Sequence, residues 1–235
     1  MTELIYQRDS YVREFDAVVT GHVAEQSAVL LDQTAFYPGG GGQPNDVGQL
    51  LVGDRVYQVS AVARGNLHII HGELPPIGTK IKGVLDWDRR YKLMRTHTAM
   101  HVLCGVVWRD YGASVTGGNM EPLSGRMDFE FERMQKELVS EIESRINAEV
   151  VAAHDVRVRI LPREEAFQIP DLIRTKINLL PEGIPEVRTV ELVGLDLQAD
   201  GGTHVANTRE VGRIRITDYK SKGGINKRIY VELDA

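Results

Sequence analysis

The chain has 235 residues, enough for one large domain or two modest domains that each bury a hydrophobic core. Its apolar and charged fractions are ordinary for a globular protein, and a net charge of −5 argues against a generic nucleic-acid coat, although local basic patches could still bind nucleic acid. The single cysteine excludes an internal disulfide, and the absence of both a bilayer-length apolar run and a signal-like N-terminus predicts a cytoplasmic protein.

The first 86 residues are predicted to form a small β-barrel domain. Short apolar runs alternate with Gly, Pro, Asn and Asp at short intervals, which is typical of barrels and sandwiches. The predicted strands cover residues 15–23, 28–31, 55–61, 67–70 and 80–87. Between the second and third of these strands, Thr34-Ala35-Phe36-Tyr37-Pro38 precedes four glycines, Gly39 to Gly42, and then Gln43.

Residues 87–235 are predicted to form a second, α+β domain, so the fold class of the whole chain is α+β. An amphipathic helix should follow Trp87 and end near Gly112, and a second should cover residues 132–154. A loop is predicted at 114–118 and a short helix after Pro162. The predicted strands are 126–131, 156–161, 186–193, 211–219 and 227–233, in one antiparallel sheet with helices on one face.

Two histidines on the first predicted helix indicate a metal site. His97 and His101 are four residues apart, so both imidazoles lie on one helix face and can point at one ion. Two buried, hydrogen-bonded histidines would give the same pattern, and the Glu of the known helical zinc motif is absent. The later sequence Asp200-Gly201-Gly202-Thr203-His204 offers a carboxylate and a third imidazole, and its glycines permit a tight turn.

These motifs resemble one known family. His97-x-x-x-His101, followed by Gly201-Gly202-Thr203-His204-Val205, resembles the editing domain of alanyl-tRNA synthetase and, more closely, the free-standing AlaX trans-editing proteins. Thr34-x-Phe36-Tyr37, followed by Gly40-Gly41-Gly42-Gln43, resembles the glycine-rich motif of that family and indicates its medium-length class. Together the motifs extend from about residue 30 to about residue 230, nearly the whole chain.

The resemblance implies one zinc ion per chain, held by His97, His101 and His204. Three histidines around zinc leave a fourth position for water or substrate. The family has a cysteine where this chain has Asp200, and a carboxylate is a harder ligand than a thiolate. Asp200 would therefore be either a fourth ligand or a partner of a ligating histidine. Cys104 does not match the family's cysteine and is interpreted as a small buried residue.

The resemblance also implies a reaction, the ATP-independent hydrolysis of the ester that joins serine to tRNA(Ala), with glycine as a second candidate amino acid. An alanine pocket cannot strongly exclude a residue that only adds a hydroxyl, so translation fidelity requires a second sieve. The resemblance assigns the recognition of that hydroxyl to Thr34. It places Gln43 near the amino acid or ribose, and the backbone of Gly39 to Gly42 close to the substrate.

Two basic clusters could neutralise phosphates of the tRNA acceptor stem. Either cluster could equally be a solvated charged face. They consist of Arg89, Arg90, Lys92 and Arg95, and of Lys220, Lys222, Lys227 and Arg228. From these we take Arg95, Lys222 and Arg228 as the predicted tRNA contacts, in a chain expected to be a monomer.

Two other functions remain open at this stage. The chain could be a metal hydrolase for another small ester, or a non-catalytic tRNA-binding module with a structural zinc. Four tight protein ligands would favour the module, because a closed site leaves no place for water. The presence of Thr34, Gln43 and all three histidines favours the editing hydrolase.

Overall fold

The computed structural model describes residues 2–175, 180 and 183–235. The chain divides into two compact units, Met1–Lys92 and Leu93–Ala235, and each is described separately. Within the described residues, no helix combines the length and the apolar character needed to cross a bilayer.

The first unit is built around a closed six-stranded barrel. The strands of this unit are β1 (Glu3–Leu4), β2 (Glu14–Val23), β3 (Ala28–Leu31), β4 (Gln33–Thr34), β5 (Gly48–Val52), β6 (Arg55–Ala63), β7 (Leu67–Ile70) and β8 (Lys80–Leu85). The barrel closes in the order β2-β3-β7-β6-β5-β8 with antiparallel pairing throughout, and β1 pairs separately with β4 in parallel. The predicted small β-barrel is therefore confirmed.

The barrel core follows from strand alternation. In β2, Phe15 and Ala17 are buried and point inward, whereas Glu14 and Asp16 on either side of Phe15 are exposed. Strand β5 was not predicted, because Gly-Gln-Leu-Leu-Val has no two-residue alternation. It forms because β6 and β8 flank it in the closed barrel. The packing at its first residue is tight, since a Cβ atom at Gly48 would lie 2.2 Å from the backbone carbonyl oxygen of Val84.

The second unit contains two antiparallel sheets and most of the helical residues. The helices are α1 (Trp87–Tyr111), which includes the boundary between the units, α2 (Lys136–Ala152) and α3 (Arg163–Ala166). The strands are β9 (Val115–Glu121), β10 (Ser124–Glu130), β11 (Val156–Pro162), β12 (Glu186–Leu192), β13 (Asp196–Ala199), β14 (Ile214–Ser221) and β15 (Asn226–Leu233). They form two sheets, in the orders β14-β15-β10-β9 and β11-β12-β13.

The α+β class is confirmed, but three details of the prediction are wrong. The single predicted sheet is two sheets. The loop predicted at 114–118 lies largely in β9, whose sequence Val-Thr-Gly-Gly-Asn resembles a turn but pairs with β10 along its whole length. Strand β13 was not predicted, because its polar sequence Asp-Leu-Gln-Ala becomes a strand only by pairing with β12.

Local signals fix both ends of the first helix. The Asp86 carboxylate accepts the backbone N–H of Arg89 at 3.1 Å, which caps the N-terminus of α1. Gly112 follows the last turn with a φ of +61°, and its N–H donates to the carbonyl of Trp108 at 2.9 Å. These features explain why the sequence predicted the boundaries of α1 closely.

Candidate metal centre

Four side chains of the second unit converge on one point. His97 and His101 lie one turn apart on α1, with ring centroids 5.2 Å apart. Asp200 and His204 come from the segment after β13, and the four ligand atoms all lie within 4.8 Å of one another. Asp200 Oδ1 is 3.4 Å from His97 Nε2, and Asp200 Oδ2 is 3.1 Å from His204 Nε2. The structure thus brings together the four residues that the sequence offered as ligands.

The segment that carries Asp200 and His204 is held by the aspartate itself. Asp200 Oδ2 accepts the N–H of Gly202 at 2.6 Å, so the side chain closes its own turn. Arg188 Nη1 donates to the Asp200 carbonyl at 2.8 Å, and the Asp200 N–H donates to the Arg188 carbonyl at 3.1 Å. Neither Gly201 nor Gly202 has a positive φ. The tight turn that the glycines were expected to permit is therefore closed by the aspartate side chain, without a left-handed glycine.

Two neighbouring groups orient the imidazoles. Asp196 Oδ2 lies 3.0 Å from His101 Nδ1 and also accepts the Gln198 amide at 2.7 Å. A carboxylate can only accept, so Nδ1 of His101 carries the proton and Nε2 is left to bind a metal. Thr98 Oγ1 accepts the N–H of Val205 at 3.2 Å and lies 3.2 Å from His204 Nδ1, which directs the other nitrogen of His204 to the centre.

Neither of these two orienting residues was identified from the sequence. Asp196 lies in the strand β13 that the sequence did not predict. Thr98 stands between the two helical histidines, where its side chain has no distinguishing pattern. Both act across more than 90 positions of sequence, and only the folded chain shows their partners.

Burial controls the charge of the centre. It lowers the pKa of His97 to about 4 and holds the pKa of His204 well below its usual value. Burial also disfavours the charged form of His101, but the hydrogen bond and charge of Asp196 raise its pKa above the usual value. For Asp200, burial is outweighed by the nearby imidazoles, and its pKa lies well below the usual value. The anionic Asp200 carboxylate, beside His97 and His204 whose pKa values are lowered, can attract a divalent cation.

The donor set fits zinc. Three imidazole nitrogens with one carboxylate oxygen are ligands that zinc accepts in tetrahedral sites. The Asp200 side chain is 13% exposed and the three histidine side chains are at most 7% exposed, so the carboxylate is the most solvent-accessible donor. Cys104 is buried and accepts the Gln198 amide at 3.3 Å, in agreement with its interpretation as a structural residue.

The glycine-rich segment belongs to the first unit. Thr34 is completely buried, and its hydroxyl oxygen lies 2.8 Å from His68 Nε2 and accepts the Phe36 N–H at 3.1 Å. All four glycines from Gly39 to Gly42 have positive φ values. Gly40 and Gln43 exchange two backbone hydrogen bonds of 3.0 and 2.9 Å, which closes a tight turn around Gly41 and Gly42. Gln43 is buried.

The glycine-rich segment is anchored by a buried ion pair. Arg90 has no exposed surface, and its guanidinium donates to both carboxylate oxygens of Asp46 and to the carbonyls of Ser10 and Ala35. Asp46 in turn accepts the N–H of Tyr37 at 2.6 Å. The proposal that Arg90 contacts a tRNA phosphate is wrong, because a fully buried guanidinium cannot reach one.

The three predicted tRNA contacts have different surroundings. Arg95 donates to the carbonyls of Val211 at 3.1 Å and Asp234 at 2.6 Å. The Arg228 guanidinium donates to both carboxylate oxygens of Asp128 at 2.6 and 2.8 Å, and this hydrogen bonding holds the pKa of Asp128 below the usual value. Lys222 is exposed near the β14–β15 turn. The structure therefore gives two of the three a structural role, and contact with tRNA stays a prediction for all of them.

Comparison with known proteins gives two family matches, one in each unit. Residues 187–230 match the threonyl and alanyl tRNA synthetase second additional domain. Residues 8–89 match the class II (A) tRNA synthetases. The metal-centre residues Asp200 and His204 lie in the first match, and the glycine-rich segment lies in the second.

Full-length relatives are similar over the whole chain. An alanyl-tRNA editing protein AlaX-M of Saccharolobus solfataricus is 41% identical, and the match covers 98% of each chain. The AlaX-M protein of Methanosarcina acetivorans is 37% identical over 99% of each chain. An alanine–tRNA ligase of Pyrobaculum aerophilum is 39% identical over 91% of this chain, which corresponds to 25% of the ligase.

Proposed function

This chain belongs to the AlaX-M family of alanyl-tRNA editing proteins, and from that premise we propose that it hydrolyses the ester between serine and tRNA(Ala). Glycine attached to the same tRNA is the second proposed substrate. The observation that carries the proposal is the buried convergence of His97, His101 and His204 with Asp200 beside them, since three imidazoles can hold a metal and leave its fourth position for water or substrate.

We propose zinc as the metal, one ion per chain, held by the three histidines. When bound, zinc would supply a Lewis acid that polarises a carbonyl or lowers the pKa of a bound water to about 7. The chain's own part is to hold the imidazoles aligned. Asp196 keeps the proton of His101 on Nδ1, and Thr98 fixes the ring of His204. Asp200 supplies the negative charge, as a fourth ligand or as a partner of His204.

The proposed selectivity residue is Thr34. Serine and alanine differ by one hydroxyl, so only a group that interacts with this hydroxyl can separate them. A buried polar group that alanine leaves without a partner would disfavour alanine by about 1–3 kcal/mol. The match of Thr34 to the threonine of the family's glycine-rich motif supports this role. Gln43 and the backbone of Gly39 to Gly42 are the proposed contacts to the aminoacyl-adenosine end.

The proposal includes the two domains expected from the sequence, each with its own role. Residues 1–86 would supply amino-acid selectivity and residues 87–235 the metal-dependent deacylase. Arg95, Lys222 and Arg228 are the proposed contacts to the acceptor stem of tRNA(Ala). The expected location is the cytoplasm, where tRNA is charged, and the expected state is a monomer.

A deacylation assay tests this function directly. Purified protein is incubated with Ser-, Gly- and Ala-charged tRNA(Ala), with and without a chelator, and bound metal is measured in parallel. We expect rapid loss of serine, slow loss of alanine, and inactivity after chelation that added zinc reverses. His101→Ala should abolish both metal binding and deacylation, whereas His71→Ala, which changes an exposed histidine outside the cluster, should change neither.

Two results would redirect the proposal. Tight binding of tRNA and zinc without hydrolysis would identify a non-catalytic tRNA-binding module. Hydrolysis of simple aminoacyl esters without preference for charged tRNA would identify a metal hydrolase with a different substrate. Full activity in protein shown to be free of metal would refute the zinc-centred mechanism.

A further inference from the structure

The stretch of chain that carries His204 is hydrogen-bonded to the residues that follow helix α2. We call residues 153–156, directly after α2, the junction, and residues 204–208 the His204 segment. The N–H of Thr208 donates to the carbonyl of His154 at 2.9 Å, and the N–H of His154 donates in return to the Thr208 hydroxyl at 2.9 Å. The junction and the His204 segment are therefore bound to each other through the backbone.

Asn207 lies within this contact, and its side chain is buried. The side-chain amide donates to the carbonyl of Ala153 at 2.8 Å and to Asp155 Oδ1 at 3.0 Å. The side-chain oxygen accepts the N–H of Arg209 at 3.0 Å and so caps the 3₁₀ turn that follows. One buried side chain thus joins two residues of the junction to the His204 segment.

The junction contains a residue in an unfavourable backbone conformation. Ala153 has a φ of +59°, in the left-handed region that glycine adopts more readily. Such a conformation persists where surrounding contacts hold it. Because Asn207 binds the carbonyl of Ala153, it helps to hold this conformation, and the junction becomes a fixed support for the His204 segment.

The junction is also connected to helix α1, which carries the other two proposed histidine ligands. Arg109 on α1 donates to Glu149 Oε1 at 2.6 Å, and Glu149 Oε2 lies 2.7 Å from His154 Nε2. The Thr208 hydroxyl donates to the Glu149 carbonyl at 3.3 Å. Within the second unit, the end of α2 therefore links the histidine helix to the segment that carries His204.

We propose that Asn207 is a positioning residue for the metal centre. It holds the His204 segment against the junction, so that the His204 imidazole stays aligned with the other ligands. Asn207 acts through the backbone of His204 and does not bind the ion. This inference rests on the proposed zinc site and assigns part of the zinc affinity to a residue outside the ligand set. By thermodynamic reciprocity, bound zinc should stabilise the contact between the junction and the His204 segment.

The test measures the zinc affinity of metal-free protein by competition with a chromophoric chelator at pH 7.5. Asn207→Asp keeps the oxygen that accepts from Arg209 but removes both hydrogen bonds that the amide donates. Asn147→Asp is the matched control. The Asn147 amide donates to the carbonyls of Glu143 and Ile214 at 2.8 and 2.7 Å, and its oxygen accepts the N–H of Ile214 at 2.9 Å. The control therefore loses two similar hydrogen bonds away from the His204 segment.

We expect Asn207→Asp to raise the zinc dissociation constant about 3–10-fold, less than the roughly 10–100-fold loss typical of a residue bound directly to a ligand. The new carboxylate faces that of Asp155, so adding Asp155→Asn, which exchanges donor and acceptor, should recover part of the affinity. Asn147→Asp should stay within twofold of wild type, although both single variants should unfold at lower urea concentration. Equal weakening by Asn207→Asp and Asn147→Asp, or none by either, would overturn the proposal.

A second measurement uses wild type and does not depend on the folding of variants. Amide hydrogen exchange is compared in metal-free protein and after addition of zinc. Exchange should slow at Val156, whose N–H donates to the Ala206 carbonyl at 2.8 Å, and at Thr208. The factor should be larger than at Ile214, whose N–H is bound by Asn147. An equal change at all three amides would mean global stabilisation alone and would overturn the proposal.

Failure of the proposed function would give a different result. If wild type bound no zinc, the proposed zinc site would fail, and the hold of Asn207 on the His204 segment would be tested in metal-free protein. Asn207→Asp should then speed exchange at Val205, whose N–H donates to Thr98 Oγ1 at 3.2 Å, and Asn147→Asp should not. If zinc bound and Asn207→Asp weakened it, but Ser-tRNA(Ala) was not deacylated, the positioning role would stand and the deacylase would fail.

Discussion

Removal of the Asp196 carboxylate should weaken zinc binding without removing a ligand. In Asp196→Asn the amide oxygen can still accept from His101 Nδ1, which lies 3.0 Å from the present carboxylate. The negative charge that raises the pKa of His101, and so strengthens its Nε2 as a donor, is lost. The buried amide would also face the Arg174 guanidinium, now 3.7 Å from Asp196 Oδ1, without a compensating charge.

The size of the effect follows from the usual cost of outer-sphere changes at metal sites. Loss of such a partner typically lowers metal affinity about 10–100-fold, which corresponds to about 1.4–2.7 kcal/mol. We expect the Asn variant near the lower end, because one hydrogen bond survives, and Asp196→Ala near the upper end.

The assay is a zinc competition titration of metal-free protein against a chromophoric chelator at pH 7.5. Its readout is the dissociation constant of zinc, so it does not depend on catalysis. Asp218→Asn is the control, since Asp218 is a surface aspartate of the same unit that pairs with Lys220 at 2.9 Å. A dissociation constant for Asp196→Asn within twofold of wild type would refute the orienting role of Asp196.

Three further expectations follow from the structure. Asp200→Cys should retain zinc binding in the same titration, whereas Asp200→Ala should weaken it, and loss of the site in the cysteine variant would show that Asp200 does not occupy the family's cysteine position. Arg90→Met should lower the free energy of unfolding in urea by about 3–5 kcal/mol, because it leaves the buried Asp46 carboxylate without its ion-pair partner. Adding Asp46→Leu should recover much of that loss. Hydrogen bonds from Arg109 and a second arginine lower the pKa of Asp110 to about 2, so this carboxylate contributes stability that is present above the unfolded value near 4 and disappears as the pH falls through 2. Asp110→Asn should therefore be less stable than wild type by about 1–2 kcal/mol at pH 7, a figure reduced for the partly exposed arginines, and the difference should shrink between pH 4 and pH 2.

Local features of the sequence determined most elements of the fold. The barrel strands were predicted where alternation or short apolar runs were clear, as in β2 and β3. The ends of α1 were predicted because Asp86 is a local start signal and Gly112 a local stop signal. The histidine pair was visible for the same reason, since a spacing of four on a helix is a local property. The later segment from Asp200 to His204 offered a carboxylate and a third imidazole, and the family resemblance linked it to the histidine pair.

Only the tertiary structure decided which distant residues meet. Strands β9 and β13 exist through pairing with neighbours, and their own sequences contain no alternation that would predict them. The partners that orient the metal centre, Asp196 for His101 and Thr98 for His204, lie 95 and 106 positions away in sequence. The sequence specifies secondary structure through periodicities of a few residues, whereas hydrogen bonds across the core depend on how strands and helices register after folding.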